Sequence, residues 1–174
     1  MANNHPSREE CLALLKEHQT PDHVIRHCIK VTDTALKIAD ALNQKGLSLD
    51  LGLIQGAGLI HDIARVEEKH WEIGAEIASE LGYYQEAEII RAHMFYNCNP
   101  NEDEINETDI ICLSDRMVKE DEYVGLENRM QYILDKFKGN REAVEHISDR
   151  IKDNKKMVGK IEGIIGTSID SLMD

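Results

Sequence analysis

Apolar residues recur along most of this chain at intervals of three and four positions, which is the period of an amphipathic helix. The clearest run begins at Val24 and continues through Cys28, Val31 and Ala35 to Leu42. No comparable stretch alternates between apolar and polar residues at every second position, as a half-buried strand would. The pattern therefore predicts an all-α protein.

Capping residues predict where the first helices begin. Ser7 and Glu10 have the spacing of a capping box, which opens a short helix. Thr20 followed by Pro21 predicts a second start, with threonine as N-cap and proline at the first helical position. We expect this second helix to be long and to end near Gly46.

The same period predicts further helices to the end of the chain. We expect them at about residues 48–64, 68–81, 84–95 and 106–119, and through most of 126–166 with a break at Gly139-Asn140. Three glycines in the first of these, Gly52, Gly56 and Gly58, are expected to let a neighbouring helix approach closely. Together, these helices predict a single bundle-like domain over residues 1–174 with about six to eight helices.

Composition supports this fold class and limits the partners. The 174 residues are enough for one compact domain, and only 11 Gly and 3 Pro leave few turn residues for an all-β fold. The formal charge of -13 disfavours binding to polymeric nucleic acid or to an anionic membrane. A small anionic ligand remains compatible, because a cation or a local Arg or Lys can reverse the potential inside one cleft.

The cysteines and the amino-terminal residues indicate the cellular compartment in which we expect the protein. The four cysteines form no C-x-x-C pair, and we expect reduced thiols, with Cys28 and Cys112 in the core. The sequence MANNHPSREE does not resemble a secretory leader, and no apolar run approaches the roughly 20 residues that span a bilayer. The expected location is therefore cytoplasmic.

Histidines fall into two groups by their neighbours. His5, His18, His23 and His146 lie in polar surroundings or at helix ends, where we expect exposed side chains without a role. Four other polar residues lie on the apolar faces of four different helices: His27, His61, His93 and Asp115. His27, for example, follows Val24 by three positions and precedes Val31 by four.

Two interpretations of the inward residues compete. Each alone is more commonly a satisfied core residue, and Asp115 could pair with Arg116 or another cation. Together, four costly polar groups in one small core need a common partner, and a divalent cation is that partner. The neighbouring Asp62, in LIHDIAR, adds a carboxylate beside His61.

The ligand types restrict the ion. Imidazole and carboxylate ligands without thiolate suit Fe, Mn, Co, Ni or Zn, while Mg is less suited to nitrogen ligands. The four ligands His27, His61, Asp62 and Asp115 would leave positions open on an octahedral ion. Open positions are typical of a catalytic site rather than a structural one.

In this order and helical context, His27, His61-Asp62 and Asp115 resemble the H…HD…D signature of the HD superfamily of metal-dependent phosphohydrolases. The likeness runs from about residue 20 to residue 119, includes SDRMV, and leaves a helical extension at about 126–170. HWEIGAEIA and IIRAHM also resemble segments of a subset with additional histidine ligands. That resemblance implies an all-α fold and a second ion at His70 and His93, with Asp62 bridging the pair.

The resemblance also implies a reaction. We expect hydrolysis of a phosphate ester or anhydride of a small phosphorylated molecule, with a nucleotide as the first choice of substrate. Asp62 or a nearby carboxylate would accept a proton from the attacking water, and Arg65 and the metals would stabilise the phosphoryl oxygens. Arg65 could instead be a surface arginine that closes a helix. The sequence is compatible with either one or two bound ions.

Two other functions are compatible with the same residues. The chain could be a metal-binding accessory or regulatory module without turnover of its own, or an oxygenase with a related di-iron site. Activity that a chelator abolishes would favour the hydrolase, and oxygen consumption would favour the oxygenase. Apolar faces on the later helices are also compatible with a homodimer.

Overall fold

The computed structural model describes residues 4–174, which form nine α-helices and one short β-hairpin. The helices are α1 (Arg8–Glu17), α2 (Asp22–Asn43), α3 (Leu51–Ile60), α4 (His70–Glu80), α5 (Tyr84–Ala92), α6 (Glu107–Asp115), α7 (Leu126–Lys136), α8 (Arg141–Ile165) and α9 (Ile169–Met173). The hairpin strands are β1 (Val118–Lys119) and β2 (Glu122–Tyr123). The all-α prediction is confirmed. The described residues form one helix more than the predicted maximum of eight. The additional helix is α9, whose five residues are too few for a periodic pattern to reveal.

Most helices begin within two residues of the predicted start, but α3 begins at Leu51 rather than at about residue 48. Ser7 and Glu10 form the predicted capping box. The prediction that Thr20 caps α2 is wrong, because Pro21 occupies the N-cap position. The buried Thr20 hydroxyl instead donates to the Ile63 carbonyl oxygen at 2.8 Å. That bond ties the start of α2 to the turn after α3.

Three helices end earlier than their apolar pattern predicts, at Ile60, Ala92 and Asp115. After α3 the backbone passes into turns, with the Ile63 amide donating to the Ile60 carbonyl at 3.1 Å. After α6 the expected helical residues 118 and 119 instead form β1, which pairs antiparallel with β2. Strands of two residues are too short for alternation to reveal them.

Helix α2 lies at the centre of the bundle and packs mainly on α3 and α6, while α4 pairs with α5. A Cβ atom built at Gly58 would lie 2.6 Å from Thr32 Oγ1. No side chain fits that gap, so glycine permits the close contact of α3 with α2, as the sequence predicted. The contact brings residues near the end of α3 next to those on α2.

The C-terminal third folds back onto this core. Asn140 caps α8 and accepts from the Ala143 amide at 3.1 Å, which confirms the predicted break before residue 141. Helix α8 packs against α7 and α2. Cys28 and Cys112 lie in the core as free thiols, as expected. Among the described residues, no helix combines the length and apolar character needed to cross a membrane.

His5 is the exception among the histidines that were expected to be exposed. Its side chain is only 9% exposed, and Nδ1 lies 2.5 Å from Glu86 Oε1 while Nε2 lies 3.1 Å from Asp50 Oδ2. Burial lowers the pKa of His5, but hydrogen bonding to Glu86 and Asp50 outweighs it and raises that pKa. The contact joins residues 81 positions apart, which local patterns cannot reveal. His18, His23 and His146 are exposed as predicted.

Candidate metal centre

The six residues proposed as metal ligands converge at one end of the bundle. They form two groups, in each of which one donor atom per residue lies within 4.8 Å of the others. The first ligand group is His27, His61 and Asp115, and the second ligand group is Asp62, His70 and His93. Each group is composed of residues that could hold one ion.

Helix ends position five of the six residues. His61 and His93 are the C-cap residues of α3 and α5, and Asp115 is the last residue of α6. Asp62 lies in the turn after α3, and His70 begins α4. Three helix carboxyl ends therefore point their partial negative charge at this region, which favours a bound cation.

Backbone carbonyls orient three of the imidazole rings. The bonds join His27 Nδ1 to Glu120 O at 2.6 Å, His61 Nδ1 to Gly58 O at 2.7 Å and His93 Nδ1 to Ile90 O at 2.6 Å. A carbonyl oxygen only accepts, so each Nδ1 carries the hydrogen and donates. Each Nε2 is then available as a metal ligand, which is the usual arrangement around protein-bound metals.

Asp62 lies between the two ligand groups. Its Oδ1 is 3.3 Å from His70 Nε2 and 3.4 Å from His93 Nε2. Its Oδ2 is 3.6 Å from His61 Nε2 and 3.9 Å from His27 Nε2. One carboxylate oxygen thus faces each group, which is the geometry that a bridging carboxylate requires.

Several of these atoms are buried without a hydrogen bond. Among the described residues, His61 Nε2, Asp62 Oδ1 and His70 Nε2 are buried and make no hydrogen bond of acceptable geometry. A buried polar atom without a partner costs on the order of 1–3 kcal/mol. Three such atoms in one place are what a cation would satisfy, so the residues fit a metal.

The electrostatics of the site also favour a cation. Burial raises the pKa of Asp62, but the charge of His61 together with the effects of His70 and His93 outweighs burial and holds that pKa well below its ordinary value. Burial acts likewise on Asp115, but the hydrogen bond with His27 together with the effect of His61 outweighs burial and holds that pKa well below its ordinary value. Both carboxyl groups are therefore ionised near neutral pH. Burial lowers the pKa of His61, but the charge of Asp62 together with the effects of Cys28 and Asp115 raises it well above its usual value. A metal bound at His61 Nε2 would therefore replace a proton.

A cleft opens over both ligand groups. Its volume of about 840 Å³ is in the range of small-molecule sites. Arg65 lines this cleft, is 55% exposed, and places Nε 3.9 Å from Asp62 Oδ2. It lies in the turn after α3 rather than closing that helix. Met94, which follows His93, also lines the cleft.

Several residues of the site were not found from the sequence. Glu120 contributes only its carbonyl oxygen, which any residue type could supply, so no signal marks it. Arg26 and Arg116 also line the cleft, and their positions next to His27 and Asp115 were an available signal. Arg116 does not pair with Asp115, as one interpretation allowed. It donates to Asn154 Oδ1 at 3.0 Å and to the carbonyl of Tyr96.

Comparison with known proteins agrees with this geometry. The HD domain matches residues 24–119. An uncharacterized protein of Methanocaldococcus jannaschii is 35% identical over 85 residues, which cover 47% of this chain and 50% of that protein. A tRNA (cytidine(56)-2'-O)-methyltransferase of Picrophilus torridus is 33% identical over 75 residues, which cover 41% of this chain and 20% of that protein. No solved structure matches.

These relatives are matched over part of their length: the chain spans half of the first and a fifth of the second. The HD domain match covers more than half of this chain and includes all six residues of the two ligand groups. The chain belongs to the HD domain family.

Proposed function

We propose that this protein is a metal-dependent phosphohydrolase that cleaves a phosphate ester or anhydride of a small phosphorylated molecule. The observation that carries the proposal is the pair of ligand groups that share Asp62 beneath an open cleft. The HD domain family, whose members are generally hydrolases, supports the same reaction class. The family alone does not specify a substrate.

Each residue has a role in this proposal. A divalent ion bound here would lower the pKa of a water ligand and polarise a phosphoryl oxygen. Asp62 would hold both ions, one with each carboxylate oxygen, and a nearby carboxylate would accept a proton from water. Arg65 is half exposed beside Asp62, so its guanidinium is placed to donate to the phosphoryl oxygens.

The ion is proposed from the donor set. Four imidazoles and two carboxylates, without a thiolate among them, suit Fe, Mn, Co, Ni or Zn better than Mg. The two groups support two ions, one in each. Because these donors accept several metals, the protein is best assayed with each metal in turn.

A nucleotide is the proposed substrate within this class. The cleft presents guanidinium groups together with the apolar side chains of Met130, Ile133 and Ile147. A nucleotide has matching parts, because its phosphates are anionic and its base has apolar faces. The cleft volume of about 840 Å³ accommodates a molecule of that size.

The test is turnover by the purified protein after metal removal and reloading with Mn, Co, Ni, Fe or Zn. Substrates are a generic aryl phosphate and a panel of nucleotides. Asp62→Ala is expected to abolish turnover while circular dichroism shows an intact fold. Asp33→Ala is the matched control, because Asp33 pairs with Arg8 and does not line the cleft.

A second candidate is an accessory metal-binding module without turnover. A segment similar to this chain makes up 20% of the Picrophilus torridus protein, which is named for another activity. Such a segment can therefore occur within a larger enzyme. Absence of turnover with every metal and substrate, in a protein that still binds metal, would favour this module over the hydrolase.

A further inference from the structure

The cleft is lined selectively by arginine. The chain has eight arginines and twelve lysines. Five arginines line the cleft and no described lysine does: Arg26, Arg65, Arg116, Arg129 and Arg150. Arginine presents a planar fork of donors that matches the oxygens of phosphate or carboxylate, whereas lysine presents a point charge. In a protein of net charge -13, this concentration indicates a strongly anionic ligand.

Three of the five arginines have partners within the site. Arg26 Nε lies 3.2 Å from Asp121 Oδ2, which neutralises its charge. Arg116 is held by Asn154 and by the Tyr96 carbonyl. Arg65 lies beside Asp62 and belongs to the metal end of the cleft.

Arg129 and Arg150 differ from Arg26 and Arg65, which lie beside carboxylates. They also differ from Arg116, which donates two hydrogen bonds, because among the described residues each donates only one, to a backbone carbonyl. Arg129 Nε donates to the Val118 carbonyl at 3.1 Å, and Arg150 Nη1 donates to the Met94 carbonyl at 3.4 Å. Within the part of the chain that the structure describes, neither has a carboxylate within 4 Å. A charged group that is half buried without a counter-ion is unfavourable.

The surroundings of Arg150 reinforce this imbalance. Burial lowers the pKa of its guanidinium, and the positive charge of Arg116 lowers it further. An anion bound beside Arg150 would offset both the cost of its burial and its repulsion by Arg116. The neighbouring Arg129 lies 5.6 Å from the Tyr132 ring, where Lys119 and Lys136 also contact that ring. Three cationic side chains therefore lie around Tyr132 on α7, and one of them, Arg129, lines the cleft.

Both arginines come from helices outside the HD domain match. Arg129 lies on α7 and Arg150 on α8, whereas the match ends at residue 119. The apolar side chains of Met130, Ile133 and Ile147, from the same two helices, also line the cleft. The C-terminal helices thus supply both a charged and an apolar surface opposite the ligand groups.

We propose that Arg129 and Arg150 form a second anion subsite, and that the substrate is a small molecule with two separate anionic groups. The first group is the phosphate that reacts at the metal centre, and the second is a phosphate or a carboxylate bound by the two arginines. This inference rests on the proposed function for the first group. It makes α7 and α8 determinants of specificity in this chain.

Calorimetric titration with non-hydrolysable probes tests the subsite without turnover. The probes are propylphosphonate, which has one anionic group, 3-phosphonopropionate, which adds a carboxylate, and propane-1,3-diphosphonate, which adds a second phosphonate. In the Mn-loaded protein we expect a doubly anionic probe to bind about tenfold or more tightly than propylphosphonate. A larger gain in affinity for 3-phosphonopropionate would indicate a carboxylate as the second group, and a larger gain for propane-1,3-diphosphonate would indicate a phosphate.

The variants Arg129→Gln and Arg150→Gln are expected to reduce that preference to about twofold or less. Arg129→Lys and Arg150→Lys, which retain charge without the fork, should retain part of it. Arg141→Gln is the matched control, because Arg141 lies on α8, is 93% exposed and pairs with Glu145. Thermal unfolding checks that every variant is folded.

Equal affinity for singly and doubly anionic probes would overturn the subsite, as would a preference that survives both glutamine variants. Absence of binding by every probe would overturn it as well. The binding measurements test the subsite independently of the proposed hydrolase activity. A protein that shows the preference but hydrolyses nothing would retain the subsite and lose the hydrolase, whereas a hydrolase without the preference would retain only its reaction.

Discussion

Asp62 is the residue on which the two ligand groups depend. Its Oδ1 faces His70 and His93, and its Oδ2 faces His27 and His61. Every other residue of the site belongs to one group alone. Substitution of any of the other five ligands should therefore affect one ion, whereas substitution of Asp62 should affect both.

Metal content distinguishes these substitutions. His93→Ala removes a donor of the second ligand group only, so we expect bound metal to fall from two ions per chain toward one. Asp62→Ala removes the shared donor, and we expect metal content to fall below one ion per chain. Elemental analysis after dialysis measures the ratio. His146→Ala, at an exposed position on α8, should leave it unchanged.

Residue types and spacing carried the prediction of the six ligands. Four of them were identifiable as polar residues on apolar helical faces: His27, His61, His93 and Asp115. Asp62 was identifiable as the carboxylate beside His61, whereas His70 and the second ion came from the resemblance. Arg129 and Arg150 were not identifiable, because their proximity to the ligands depends on how α7 and α8 fold back. His5 was interpreted wrongly for the same reason.

At the scale of elements, the site is assembled where helices end. Apolar periodicity predicted that α3, α5 and α6 exist, yet it placed their ends too late. Periodicity continues past the end of a helix whenever the following turn also buries apolar side chains, as Ile63 does. The hairpin after α6 was missed because its strands have two residues each.

The contact of α3 with α2 predicts a strong effect of a small substitution. Gly58→Ala would place a Cβ atom 2.6 Å from Thr32 Oγ1, so either the Thr32 side chain, which donates to the Cys28 carbonyl, or a helix would have to shift. We expect a loss of about 1–3 kcal/mol in the free energy of unfolding, measured by urea denaturation.

Two further variants make that experiment specific. Thr32→Ala removes the atom in the way, so it should recover part of the loss when combined with Gly58→Ala. Gly159→Ala, inside α8 with nothing within 4 Å of the added atom, should stabilise by up to about 1 kcal/mol. An additive effect of the two substitutions at 32 and 58 would contradict the proposed close contact.

At the scale of the whole molecule, His5 joins the amino-terminal segment to α3 and α5 through Asp50 and Glu86. Because folding raises the pKa of His5 above its ordinary 6.5, protonation favours the folded state. That contribution is complete below 6.5 and is lost as the pH rises through the raised pKa.

We therefore expect His5→Gln to cost roughly 2 kcal/mol of unfolding free energy at about pH 6, and clearly less at about pH 9. Urea denaturation of both proteins at both pH values measures the difference. His18→Gln, at an exposed position, should show no such dependence. An equal cost of His5→Gln at both pH values would contradict the charged contact.

Metal binding should also stabilise the whole fold, since the ligands come from α2 through α6 and the turns between them. At a free ion concentration about 100-fold above the Kd, we expect the unfolding temperature to rise by roughly 5–10 °C. Differential scanning calorimetry with and without chelator measures this rise. Asp33→Ala should retain it and Asp62→Ala should lose most of it.

The central claim is that six side chains from separate elements share two ions through Asp62. Anomalous diffraction from crystals grown with Mn²⁺ tests it most directly. Two anomalous peaks are expected, one within ligand distance of each group and both adjacent to the Asp62 carboxylate. Anomalous peaks located elsewhere, or none at these six residues, would contradict it.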